Sequence, residues 1–157
     1  MRKIVFTLFI LLFAGNIYGQ TVLIRPSGSV GYCSADDMKG LSYTNGLKIL
    51  LMANEFQRYG IKVDQYTILA NDTHSYLSTG LFIEQVVFKH FNMGIGTVGY
   101  INTVQWGENP FGLYSHLGFE YNFSKWWSIM AAYQCDFIFR KSLTTNNAFL
   151  LEIGFKF

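Results

Sequence analysis

The sequence predicts an all-β fold: an eight-stranded antiparallel up-and-down transmembrane β-barrel. Three observations carry that prediction. The 157-residue chain is 50% hydrophobic and 18% aromatic but only 14% charged, where a soluble domain holds roughly 25% charged residues. No stretch after residue 20 contains the ~18 consecutive apolar residues that mark a spanning helix. Short segments rich in β-branched and aromatic residues instead follow one another, separated by turn signals that alternate between tight and longer. A disordered chain is excluded, since it would be charge-rich and aromatic-poor. No basic stripe runs along the chain to neutralise phosphates, so no nucleic-acid partner is expected.

Before the first segment, Arg2 and Lys3 precede an apolar run from Ile4 to Ala14, and the small Gly19 suits the last position before a cut. This is the layout of a secretory signal peptide. The run of 11 residues is shorter than the roughly 20 a spanning helix needs. No cysteine follows it, so no lipoprotein-type anchor is expected. The expected organisation is a signal peptide over 1–19 and a barrel domain over 20–157. Losing Arg2 and Lys3 takes the 12 basic residues to 10, against 10 acidic ones, so residues 20–157 are neutral.

The first segment, 22–34, sets Val22, Ile24, Val30 and Tyr32 against Leu23, Arg25, Ser27 and Ser29. The second, 45–58, contains the run Ile49 to Ala53, and Leu47, Leu50, Leu51 and Asn54 also fit a helical stripe; a strand keeps the hairpin count even. A tight turn at Tyr59-Gly60 leads into the third, 60–70. A polar loop from Asn71 to Thr79 leads to the fourth, 80–91, and a turn at Asn92-Met93 to the fifth, 94–106. These two have mixed parity, with Glu84, Gln85, Lys89 and His90 on both faces of one. In the sixth, 111–122, Leu113, Leu117, Phe119 and Tyr121 oppose Tyr114, His116, Gly118, Glu120 and Asn122. Past the turn Asn122–Lys125, the seventh, 126–140, alternates cleanly from Trp127 to Arg140. The eighth, 148–157, sets Phe149, Leu151, Ile153, Phe155 and Phe157 against Leu150, Glu152, Gly154 and Lys156. Period two with one greasy face is a half-solvated strand.

Energetics decides which face meets lipid. A charge at the lipid midplane costs about 2–4 kcal/mol, whereas lumen positions tolerate it. Arg25, His116, Glu120, Asp136, Arg140, Glu152 and Lys156 share the polar parity and are expected to form an inward polar network. An eight-strand lumen is narrow enough for side chains to fill, and buried ions must pair. A plug is expected rather than an open pore.

The C-terminal run Phe149-Leu-Leu-Glu-Ile-Gly-Phe-Lys-Phe157 resembles the last strand of Gram-negative outer-membrane β-barrel proteins, which ends on an aromatic after alternating apolar positions. The turn Asn122-Phe-Ser-Lys-Trp-Trp127 resembles their periplasmic turns. In size the chain is similar to the small OmpA/OmpX-type barrels. The resemblance implies residence in the cell outer membrane, contact with outer-membrane lipid and lipopolysaccharide, and recognition by the barrel-assembly machinery through Leu151, Ile153, Phe155 and Phe157. A monomer with a structural or surface-interaction role is expected. It names no activity.

Two other functions are weighed: a lipid A-modifying enzyme and a small-solute channel. Lipid A 3-O-deacylases use a His-x-Ser pair, but the residues two after the histidines are Tyr76, Asn92 and Gly118. Ser115 and His116 are adjacent and so face opposite sides of a strand. Palmitoyltransferases place His, Asp and Ser at the extracellular end, and Asn71–Ser75 holds those types in a short loop with nothing to orient them. His116 and Glu120 lie about 13 Å apart along one strand face. No catalytic residue, cofactor or metal ligand is assigned, since no ligand spacing appears.

The two cysteines have opposite parity, Cys33 inward and Cys135 outward, with the eighth segment between them. Two inter-strand spacings of about 4.8 Å exceed the reach of a disulfide, about 7 Å between Cα atoms, so two free thiols are expected. Aromatic bands are expected at both interfaces: Tyr59, Phe91, Phe123, Trp126, Trp127 and Phe157 at the short-turn end, and Tyr32, Tyr43, Trp106, Phe111, Phe137 and Phe139 at the loop end.

Overall fold

A computed structural model describes residues 21–35, 39–70, 73–103, 109–140 and 143–157. The signal peptide expected over 1–19, Asn71-Asp72 and Trp106 lie outside the described residues. The strands are β1 (Thr21–Ser34), β2 (Gly40–Met52), β3 (Gln57–Leu69), β4 (Thr73–Phe88), β5 (Phe91–Asn102), β6 (Phe111–Asn122), β7 (Trp127–Phe139) and β8 (Leu143–Lys156). Each pairs antiparallel with its neighbours in sequence order, and β8 returns to β1 to close the barrel. At the seam Val22 N–H donates to the Phe157 carbonyl at 3.1 Å, and Phe157 N–H to the Val22 carbonyl at 2.9 Å. Closure leaves no free edge, which is what lets a sheet sit in hydrocarbon.

Burial is inverted relative to a soluble protein. Leu41, Leu81, Ile95, Phe149 and Leu151 are exposed on the outer wall, while Arg25, Glu84 and Glu152 are fully buried inside. Along β7 the exposure alternates residue by residue, as it does along the last part of β8. So large an apolar surface is a liability in water and the required coat in lipid. Exposed aromatics gather at both ends. At the short-turn end Phe123 stacks on Trp127 with ring centroids 4.4 Å apart, and at the loop end Phe111 packs on Phe139 at 5.0 Å.

Two turns at the short-turn end differ from the sequence expectation. The β2–β3 turn is Ala53–Phe56, not Tyr59-Gly60. There the Asn54 side-chain oxygen accepts the N–H groups of Phe56 and Gln57, both at 2.8 Å, the local turn chemistry asparagine offers. Gly60 lies inside β3 because the Phe82 ring fills its side-chain space: a Cβ there would sit 2.6 Å from Phe82 Cζ. The β4–β5 turn is Lys89-His90, which leaves Asn92, expected in the turn, buried in the lumen.

At the other end β2, β4 and β8 begin at Gly40, Thr73 and Leu143, well before the expected 45, 80 and 148. Their polar residues read as loop but face the lumen and bond one another. Ser29 and Thr44 hydroxyls lie 2.6 Å apart, and Ser42 donates to Asn146 at 2.5 Å. The Thr73-His74-Ser75 portion of the expected polar loop is therefore part of β4.

Cys33 on β1 is opposite Asn146, and Cys135 on β7 is opposite Asn147, so β8 runs between the two cysteines, and neither is in a disulfide. Cys33 is fully buried and Cys135 lies on the outer wall. In the folded barrel, a water-soluble maleimide is expected to leave Cys33 unmodified until the protein is unfolded. Intact mass under non-reducing conditions should show both thiols reduced; a loss of two hydrogens would contradict this arrangement.

Candidate functional site

The closed sheet points alternate residues of every strand into one narrow lumen, and the register decides which charges meet. Arg25 of β1 is opposite Lys48 of β2, which is opposite Lys62 of β3. Three cations in a row repel one another, so carboxylates must come from elsewhere on the wall. For Arg25 and Lys48 they come from β4, β6 and β8, and for Lys62 from Asp64, two residues on along β3. Arg25 reaches Glu84 at 2.6 Å, Glu120 at 2.9 Å and Glu152 at 3.4 Å. Arg58 of β3 bridges Glu84 and Glu120, each at 2.6 Å. Lys48 pairs with Glu152 and donates to the Tyr114 hydroxyl at 2.5 Å. Lys62 pairs with Asp64 at 2.9 Å and lies 4.0 Å from the centre of the Tyr114 ring. A cation on a ring face gains from the ring quadrupole, so Tyr114 partly offsets the desolvation of two lysines.

Neutral donors complete the coordination. Asn92 and Ser128 donate to Glu120 at 2.9 and 2.7 Å. His116 Nε2 lies 3.3 Å from Glu84 across the intervening strand β5. The residue between them there is Gly94, opposite both. A Cβ at Gly94 would lie 2.1 Å from His116 Cε1, so only glycine lets the imidazole reach over to the carboxylate. Gly46 plays the same part for Asp64, whose Oδ1 would be 1.8 Å from an added Cβ.

Towards the loops the lumen turns from charged to amide and then aromatic. Asp136 accepts from Gln134 at 2.7 Å and from Asn146 at 3.3 Å. Above it Tyr66, Tyr76 and Tyr100, all buried, form a three-ring cluster with centroids 5.8 to 6.4 Å apart. Charges at one level and packed rings at another fill the interior with side chains.

Of the residues expected in the lumen network, Arg25, His116, Glu120 and Glu152 meet in the ion lattice, and Asp136 sits in the amide layer. Lys156 is half-buried at the short-turn end, bonded to Asn122, and Arg140 follows β7 at the loop end. Leu151, Ile153, Phe155 and Phe157 all face outward. Sequence reasoning missed Lys48, Arg58, Lys62, Asp64 and Glu84. Lys62 and Asp64 carried a signal in their period-two spacing with Tyr66. Arg58 and Glu84 depended on the misplaced turns.

No nucleophile–base pair forms around these groups. Ser115 donates to the Cys135 carbonyl at 3.1 Å, while His116 points to the lumen. His74 and Ser75 are adjacent on β4 and so face opposite sides. Among the described residues, no group of three His, Cys, Asp or Glu side chains could hold a metal ion.

No protein-family model matches the chain, and no curated protein matches it. Solved structures do. Neisserial surface protein A is 9% identical with a TM-score of 0.65, over 87% of this chain and 97% of that one. The N-terminal β-barrel domain of Pseudomonas aeruginosa OprF is 13% identical with a TM-score of 0.59, over 87% and 97%. Ail, the attachment invasion locus protein of Yersinia pestis, solved in complex with the heparin analogue sucrose octasulfate, is 14% identical with a TM-score of 0.54, over 88% and 99%. The fold is that of small eight-stranded outer-membrane barrels.

Two substitutions test the lattice. Arg25→Ala strands Glu84, Glu120 and Glu152 together, and removing one partner of a buried ion cluster costs about 3–5 kcal/mol; urea unfolding in micelles should show a loss of that size. Gly94→Ala should cost about 1–3 kcal/mol by overpacking and should displace the His116 ring resonances in NMR spectra of the folded barrel.

Proposed function

We propose that the chain is an integral protein of the Gram-negative outer membrane. Its plugged barrel serves envelope structure or surface contact rather than catalysis or solute flow. One observation carries this reading: an apolar outer wall surrounds a lumen in which every described level is occupied by packed side chains. Arg25, Glu84, Tyr114 and Glu152 are at 0% exposure, so no water-sized path touches them. A small-solute channel needs a continuous wet tunnel, and the ion lattice and the three tyrosines stand across it. Among the described residues no nucleophile and base are positioned together, which counts against a lipid A-modifying enzyme. In this reading the outer wall contacts outer-membrane lipid and lipopolysaccharide. The outward face of β8, with Leu151, Ile153, Phe155 and Phe157, is what the barrel-assembly machinery engages.

Planar-bilayer recording tests the plug. The purified wild-type barrel is expected to give no steady unit conductance, whereas reproducible open steps would overturn the reading. Folding is checked in parallel by a heat-dependent shift on cold SDS-PAGE, and location by density fractionation of membranes from the native host.

A further inference from the structure

The outer wall of β2 and β3 is a ladder of outward cross-strand pairs: Leu41–Leu69, Tyr43–Thr67, Asn45–Gln65, Leu47–Val63, Ile49–Ile61 and Leu51–Tyr59. One rung consists of two primary amides. Both Asn45 and Gln65 are exposed, and neither has a hydrogen-bond partner among the described residues. The rung does not lie beyond the apolar surface, because exposed Leu41 and Leu69 stand above it and exposed Leu47 and Val63 below it.

Several other polar groups of the outer wall bond within the chain. The Tyr133 hydroxyl donates to Asn147 at 2.9 Å, Ser115 donates to the Cys135 carbonyl, and the Thr67 and Ser75 hydroxyls are 3.4 Å apart. Gln85 stands opposite Gln57, the first residue of β3, at the short-turn end. Hydrocarbon offers Asn45 and Gln65 nothing to bond, and unsatisfied polar groups there are costly.

We propose that this face is the contact surface for a second copy of the chain. Each amide has a donor and an acceptor, so the rung complements itself. A two-fold axis along the membrane normal sets Asn45 of one copy against Gln65 of the other, and Gln65 against Asn45, the reciprocal pattern of a closed dimer. Amide hydrogen bonds of this kind hold spanning segments together where apolar contact alone gives no preference over lipid. Gly28, opposite Asn45 on β1, leaves room beside the rung: a Cβ there would meet nothing nearer than 3.8 Å. The inference rests on the membrane-spanning reading above and departs from the monomer expected from sequence.

Single-molecule photobleaching of singly labelled barrels in liposomes, across a series of protein-to-lipid ratios, tests it. The wild type is expected to show two-step bleaching as density rises. In N45L/Q65L the association constant should fall at least tenfold, while N45Q/Q65N, which keeps both amides, should stay near wild type. The heat-dependent gel shift must be retained in all three, which separates a failed interface from a failed fold; barrels that never insert would instead overturn the membrane reading. Single-step bleaching of wild type at every density, or dimers undiminished in N45L/Q65L, overturns the proposal. So does a wild-type monomer that binds lipopolysaccharide vesicles more tightly than N45L/Q65L does.

Discussion

Arg25 holds three carboxylates at once, and the rest of the interior is arranged around that fact. It is fully buried, so its charge has no water to fall back on. A buried ion is tolerable only when paired and hydrogen-bonded. Glu84, Glu120 and Glu152 meet that need but overcompensate it, which brings in Arg58 and Lys48. Asn92 and Ser128 donate further hydrogen bonds to Glu120. Two glycines complete the arrangement by staying out of the way, Gly94 under the imidazole and Gly46 under Asp64. The lattice is a chain of consequences set by one guanidinium in a space with no solvent.

The outer wall is the reason that guanidinium is inside. In the proposed membrane setting, a sheet whose exterior meets hydrocarbon cannot put charge there, and alternation places the charged residues of the described strands on the lumen side. In a sandwich or helical bundle the same residues would decorate the surface. Here the interior is polar and the surface greasy, and the hydrogen-bonded ring of strands separates the two. The aromatic ends mark where that requirement relaxes and water or headgroups take over.

The strand count, the closure, the inward parity of β1, β6, β7 and β8 and the separation of Cys33 from Cys135 were legible in the sequence. The parities rest on period-two alternation, and the strand count on the turn signals and an even number of strands. The boundaries were harder, and the reason lies in Ser42, Thr44, Thr144 and Asn146. A small polar residue looks the same in a loop and in a polar lumen, and only the partner strand tells them apart. Asn54 was passed over because the run Ile49 to Ala53 read straight through it. That shift hid Arg58, and the neighbouring misplacement of the β4–β5 turn blurred the parity of Glu84. The lattice itself could not be read, because it depends on which residues face each other across the lumen. The cross-strand register sets that, and no local pattern encodes it.

The partners of Arg25 lie 59, 95 and 127 residues further along the chain. None is a neighbour in sequence, and the most distant stands on the last strand. Contacts so far apart are formed late, after the long stretches between them have been brought into place. Arg25 meets Glu84 and Glu120 by the sixth strand, but its third carboxylate, Glu152, which also pairs Lys48 of β2, comes only with the eighth. A barrel stalled at six or seven strands is left with an open seam and with Lys48 lacking the Glu152 carboxylate it pairs with. Adding the last strand therefore closes the seam and delivers the Lys48 counterion in the same step.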